Sequence, residues 1–195
     1  MTTAEYYKLA FNTISKYESF NQVAVWDVNA WRIGFGSSTI TFEDGTFRKT
    51  KRGDDTTIDN ATRDLYRKIK EFESRTIQQV GGDKYWNKLS PYAKVGILSL
   101  VYNYGSITHP KIITAIQTGN NDLIAESILK ETINDNFGTK YYQGLRNRRQ
   151  KEADLVRTPY VFKSNQQDIN ENLLIYMLIA AGVIIVASSK FAKGN

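Results

Sequence analysis

The sequence predicts an α+β fold: a small antiparallel sheet lobe, a mainly helical lobe and, after a polar stretch, one apolar segment near the C-terminus. Three observations lead there. Apolar residues recur at helical spacing behind an N-terminal capping signal; residues 23–50 are β-prone and punctuated by glycine; and capped helical patterns follow from Thr57 to Arg157. At 195 residues the chain suits one domain with a short appendage. A hydrophobic share of 41% supports a real core. There is no cysteine and only one histidine, which excludes a disulfide framework and thiolate or histidine-rich metal sites. Neither a metal nor a cofactor is expected. The net charge of +6 and pI near 9.3 suit either an anionic partner (nucleic acid, a membrane surface or a bacterial cell wall) or simple solubility.

The elements follow in order. Thr2-x-x-Glu5 reads as a capping box, and Tyr6, Leu9, Ala10, Ile14 and Tyr17 recur behind it, so residues 3–18 are predicted as an amphipathic helix. Glu18 falls in its last turn, where a carboxylate meets the negative end of the helix dipole and the protonated acid is favoured. The β-prone runs Val23–Trp26, Trp31–Gly36, Thr39–Phe42 and Thr46–Arg48, with the turn Glu43-Asp44-Gly45, predict an antiparallel sheet of about three strands. Thr57 caps a long helix running to Gly81-Gly82, with a bend near Ser74. Ser90-Pro91 opens a nearly continuous apolar helix that Gly105 ends, predicted as the buried centre. Shorter helices are expected at about 110–118 and 122–134, and another over 141–157.

Within this frame two acids stand out. Glu18 and Asp27 come from different elements, lie close in sequence and are flanked by Trp26, Trp31 and Phe35. Two carboxylates facing each other across a cleft, one in apolar and one in polar surroundings, suit glycosidic bond cleavage. The three aromatics suit either stacking on sugar faces or core packing. The arginine run of 146–149 reads as a solvated face or basic patch, interrupted by Glu152 and Asp154, and no nucleic-acid motif accompanies it.

Tyr17-Glu18, Asp27 and Arg32-Ile33-Gly34-Phe35-Gly36 together resemble the phage-type lysozymes, glycoside hydrolase family 24. The family pattern is Glu, eight residues, Asp, five residues, Thr, then Gly-x-Gly. Gly144-Leu145-Arg146-Asn147-Arg148-Arg149-Gln150-Lys151-Glu152 is similar to a second family segment, and Ala93 to Gly105 to the central helix ending in Asn-x-Gly, here Asn103-Tyr104-Gly105. The resemblance covers about residues 5–157. It implies a lysozyme-like fold and a peptidoglycan muramidase, with Glu18 as acid, Asp27 as its partner and inversion at the anomeric carbon. An arginine of the last helix, Arg148 foremost, is implied as the group orienting Glu18. Asn103 and the aromatics Trp26, Trp31 and Phe35 are candidate substrate contacts.

One departure is informative. The family threonine, which helps hold the attacking water, has no counterpart. Counting from Asp27 reaches Ile33, and aligning on Gly34 puts Arg32 in its place. Ser37, Ser38 or Thr39 is left to supply a hydroxyl. Two alternatives therefore stand beside a hydrolase: a lytic transglycosylase on the same bond, and a non-catalytic wall-binding or structural module of a virion.

The expected organisation is a catalytic domain over 1–159, a polar linker over 160–171, a membrane-spanning helix over 172–189 and a basic tail over 190–195. Residues 172–189 carry no charge and reach the ~18 residues that suggest a span. No secretory signal peptide is expected at Met1, and Lys190 and Lys193 favour an interior C-terminus with the enzyme domain outside. The expected partners are peptidoglycan, a lipid membrane through 172–189 and virion proteins, with no nucleic acid. The expected place is a virion membrane or host inner membrane, for wall penetration during infection or for host lysis.

Overall fold

The computed structural model describes residues 1–107, 109–131 and 142–161. Met1–Tyr160 form one unit. Among the described residues no helix is long and apolar enough to cross a membrane. The predicted span 172–189, the basic tail and all but the first two residues of the predicted linker lie outside them.

Helix α1 covers Thr3–Ser15 and opens on the predicted capping box, with Thr2 and Glu5 each accepting from the other's backbone N–H. It ends earlier than the periodicity suggested. The Glu18 N–H donates to Ser15 O at 3.3 Å, so Glu18 stands in the turn beyond the helix rather than in its last turn. The chain turns away here because Phe20 packs on Phe35, with ring centroids 5.8 Å apart.

Strands β1 (Asn21–Asp27) and β2 (Ala30–Gly34) form one antiparallel ladder, and β3 (Thr39–Thr41) and β4 (Phe47–Lys49) form another. The single sheet of about three strands becomes two ladders of two strands. The cause lies between β2 and β3. Gly34 and Gly36 both take positive φ, and Ile33 pairs back on Ser37, so the chain closes a tight loop instead of extending the sheet sideways. A two-stranded ladder has little stability of its own. Both therefore lean on helix α2 (Ile58–Gln79), whose N-cap is Thr57.

Two contacts make that seam. Gly34 lies so close to α2 that a Cβ there would stand 2.8 Å from Ala61 Cβ. One turn on, buried Asp64 accepts hydrogen bonds from Thr39 Oγ1 (3.0 Å), Thr41 Oγ1 (2.6 Å) and Arg67 Nη2 (2.9 Å). The lobe's own apolar cluster is only Ala24, Ile33 and Ile40, with Trp31 and Phe42 against it.

The larger core surrounds helix α4 (Pro91–Tyr104), capped by Ser90 and ended by Gly105 at φ 84. Every residue from Val95 to Val101 is buried, which explains the nearly continuous apolar run. Helix α3 (Asp83–Trp86) was not foreseen; it swings Trp86 into the core, where its indole N–H donates to Glu73 at 3.0 Å. Helices α5 (Pro110–Thr118), α6 (Asn121–Lys130) and α7 (Tyr142–Arg157) complete the lobe. Helix α7 packs on α4 at Gly96, where a Cβ would sit 2.6 Å from the Glu152 carbonyl oxygen.

Candidate active site

A cleft of about 550 Å³ is bordered by Glu18 and Ser19, by Val25, Trp26, Asp27 and Arg32 of the first ladder, by Gly36, Ser37 and Ser38, by Lys68 and Phe72 of α2, and by Tyr102–Gly105 at the end of α4. Glu18 and Asp27 line the same cavity, Glu18 from the turn after α1 and Asp27 from the end of β1. Asp27 is 62% exposed, and Arg32 Nε lies 3.8 Å from its carboxylate. It precedes a two-residue turn in which β-branched Val28 takes φ 48, a left-handed conformation that costs such a residue strain.

Glu18 is held from behind. Arg148 Nη1 donates to Glu18 Oε1 at 2.8 Å, across 130 positions of sequence. The remaining donors of Arg148 are also committed: Nε to Glu152 Oε1 at 3.0 Å and Nη2 to Ser99 O at 3.0 Å. Its guanidinium lies 5.0 Å from the Tyr17 ring centroid. Fully buried Glu152 also accepts from Ser99 Oγ at 2.6 Å and from Arg149 Nη1, while Arg149 Nη2 donates to Asn103 Oδ1. Two cations thus share one buried carboxylate, and one of them, Arg148, also reaches Glu18 at the cleft. Such a cluster is held by mutual pairing, because removing one member strands a buried charge.

Oxygen Oε2 of Glu18 faces the other way, against Gly36; a Cβ there would stand 3.3 Å from it. The second glycine of Gly34-Phe35-Gly36 therefore leaves room for the acid. Burial pushes the Tyr102 phenol above its ordinary pKa, with the Glu18 and Asp64 charges adding to the shift. Its O–H donates to Phe35 O at 2.8 Å, pinning the glycine loop to α4.

Several expected site residues lie elsewhere. Phe35 is packed edge-on to Phe11 at 5.8 Å in the helical lobe's core, and Trp31 packs against the small lobe's cluster; neither lines the cleft. Trp26 does line it and is 59% exposed, its ring 5.5 Å from Trp31. Ser37 lines the cleft but is buried, its Oγ 3.1 Å from Thr39 Oγ1, which itself donates to Asp64. Ser38 also lines the cavity, and its hydroxyl has no hydrogen-bond partner among the described residues. Arg148 and Arg149 are buried, not a solvated basic face; only Arg146 of the three is exposed.

Sequence reasoning placed Gly36 and Glu152 within family segments but gave them no role, and it did not single out Ser99. Glu152 follows Arg148 by four and Arg149 by three positions, the helical spacing of ion pairs, and that signal was available. Among the described residues no group of three or more His, Asp or Glu side chains could hold a metal ion.

The two-lobed architecture with acids at the mouth between a small ladder lobe and a helical lobe is a lysozyme-like α+β fold. It is similar to the muramidase domain of SpmX from Asticaccaulis excentricus, at 17% identity and a TM-score of 0.59, covering 77% of this chain and 95% of that one. It is similar also to the active form of the P1 phage endolysin Lyz, at 17% identity and a TM-score of 0.57, covering 80% and 86%. Residues 15–152 match the family model described as Phage lysozyme, and the chain belongs to the phage lysozyme family. No curated protein matches it.

Proposed function

We propose that the chain is a muramidase that cleaves the glycan backbone of peptidoglycan between its alternating amino sugars. One observation carries the reading. Arg148 ties down Oε1 of Glu18, while Oε2 stands at the cleft beside Gly36, in the cavity that Asp27 lines from the other lobe. Glu18 gives its proton to the glycosidic oxygen as the bond to the anomeric carbon breaks. The acid becomes a carboxylate as this happens, and the Arg148 hydrogen bond strengthens with the developing charge, favouring the transition state over the ground state. Asp27 takes the proton of a water that adds to the opposite face of the sugar. Trp26 and Asn103 border the sugar-binding surface.

A lytic transglycosylase is the second reading. Arg32, a cation without an acceptor site, stands beside Asp27, and Ser37 is engaged with Thr39, so the groups that would hold a nucleophilic water reduce to Ser38 and Asp27 itself. Digestion of purified peptidoglycan with mass spectrometry of the products separates the two. Reducing muramic acid ends mark the hydrolase, and anhydro ends the transglycosylase. Intact glycan after incubation with folded protein would overturn both.

We also propose that residues 172–189 anchor the chain in a lipid membrane, of the virion or of the host cell. Their uncharged, apolar run followed by Lys190 and Lys193 supports this. Extraction of the full chain from membranes by alkaline carbonate, without detergent, would overturn it.

A further inference from the structure

The charges of the cleft are unevenly matched. Glu18 faces Arg148 and Asp27 faces Arg32, one partner to each acid. On the α2 wall the arrangement differs. Glu71 is shared by Arg67 Nη1 (3.1 Å), Lys68 Nζ (3.2 Å) and Arg75 Nη2 (3.1 Å). Arg67 also serves Asp64. Counting both acids, this wall carries three cations against two carboxylates, a surplus of one positive charge. Lys68 is the member of the group that lines the cleft.

Lys68 is also held in place. Its side chain is only 16% exposed, gripped by Glu71 on one side and lying 6.0 Å from the Phe72 ring centroid on the other. Burial opposes ionisation of Glu71, but the Lys68 hydrogen bond and the charges of Lys68, Arg75 and Arg67 outweigh it and hold its carboxyl below the usual range. The grip therefore persists through neutral pH. An ammonium fixed on a cleft wall, with its counter-charge divided among three cations, is prepared for a further anion.

On the muramidase reading, the amino-sugar backbone itself offers that cation nothing anionic. The anionic groups of the polymer are the free carboxylates of the peptide stems carried by muramic acid. We propose that Lys68 is a specificity-determining residue that binds a stem-peptide carboxylate, so that the enzyme prefers glycan bearing acidic stems. This rests on the proposed function and adds the part of the substrate beyond the scissile bond.

The test compares native peptidoglycan with the same polymer after its stem carboxylates have been converted to amides, using the full chain and its Lys68→Met and Lys68→Arg variants. Wild-type kcat/KM should fall about tenfold on amidation, carried by KM, as expected for one charge-assisted contact. Lys68→Met should lose that same factor on the native polymer and respond to amidation less than twofold. Lys68→Arg should retain the preference. Equal sensitivity to amidation in wild type and Lys68→Met would overturn the proposal and leave the muramidase reading intact. So would undiminished activity of Lys68→Met on the native polymer. Failure of the wild type to cleave either polymer would overturn the muramidase reading and this proposal with it.

Discussion

Gly96 gives the sharpest test of how the site is supported. In an open helix Gly→Ala stabilises by about 1 kcal/mol, because glycine loses more backbone freedom on folding. Here the new Cβ would meet the Glu152 carbonyl oxygen at 2.6 Å and Val156 Cγ2 at 3.0 Å. Carbon–oxygen contacts settle near 3.3 Å, so α7 would have to retreat by roughly 0.7 Å. The obstacle is backbone, which no rotamer change relieves, and overpacking of this kind costs about 3 kcal/mol. The net loss is about 2 kcal/mol, a fall in Tm of about 4–8 °C for a domain of this size. The same retreat carries Arg148 away from Glu18, and a displacement near 1 Å at a catalytic constellation costs up to about a hundredfold in rate. Thermal unfolding followed by circular dichroism, with glycan release measured well below the new Tm, reads both effects. A Tm that rises, with turnover within twofold of wild type, would refute the reasoning.

Glu18→Gln keeps the shape of the acid and removes its proton; it should lower glycan cleavage by at least about a thousandfold without lowering Tm by more than a few degrees, and residual activity above a tenth would argue against Glu18 as the acid. Gly36→Ala should lose about 1 kcal/mol, from φ +74, and about tenfold in rate from crowding Glu18 Oε2; unchanged kinetics in the folded variant would show that the glycine serves the turn alone. Alkali should unfold the protein early. Burial, aided by Glu73, raises the Tyr6 phenol and pushes Tyr7 up to about 12, and burial raises Tyr102. Groups with raised folded pKa contribute full stability below the unfolded value near 10 and lose it as pH climbs past that value. Tm should therefore fall between about pH 9 and pH 11.5, with tyrosinate absorbance rising together with unfolding. A Tyr6→Phe, Tyr7→Phe protein should fall less steeply, and an equal slope would count against this origin.

The sequence revealed most where the deciding physics is local. Caps at Thr2, Thr57 and Ser90, Pro91 at a first turn and Gly105 after α4 locate helix ends within a residue or two because each acts within one turn. The Glu18–Arg148 pair was legible only through resemblance, since nothing local joins residues 130 positions apart. The fate of the aromatics was not legible. Trp26 and Trp31 face each other across one ladder, yet one borders the cleft and the other covers the small lobe's core. Both rings stand on one face of that ladder, and how much of each is covered depends on what packs beside it. The same holds for Ser37 and Ser38: one rung of strand register decides which hydroxyl is spent on Thr39 and which is left facing the cavity. The arginine run misled for the opposite reason. Charge predicts a solvated face, but a helix that meets α4 at a glycine brings Arg148 and Arg149 inside, where Glu152 receives them.

The seam between the ladders and α2 has a consequence for how the molecule fails. Asp27 belongs to a lobe whose own buried apolar cluster has three residues, whereas Glu18 is braced by the deep core around α4. The lobe stays closed through Gly34 against Ala61 and through Asp64 between two threonines and Arg67. With so small a core, the lobe should open at a smaller free energy than the helices. Amide protons of β1 to β4 should exchange with solvent ahead of those in α4 and α7. On warming, the two acids should part company while the helical signal is still intact, so that glycan cleavage fades before the protein melts.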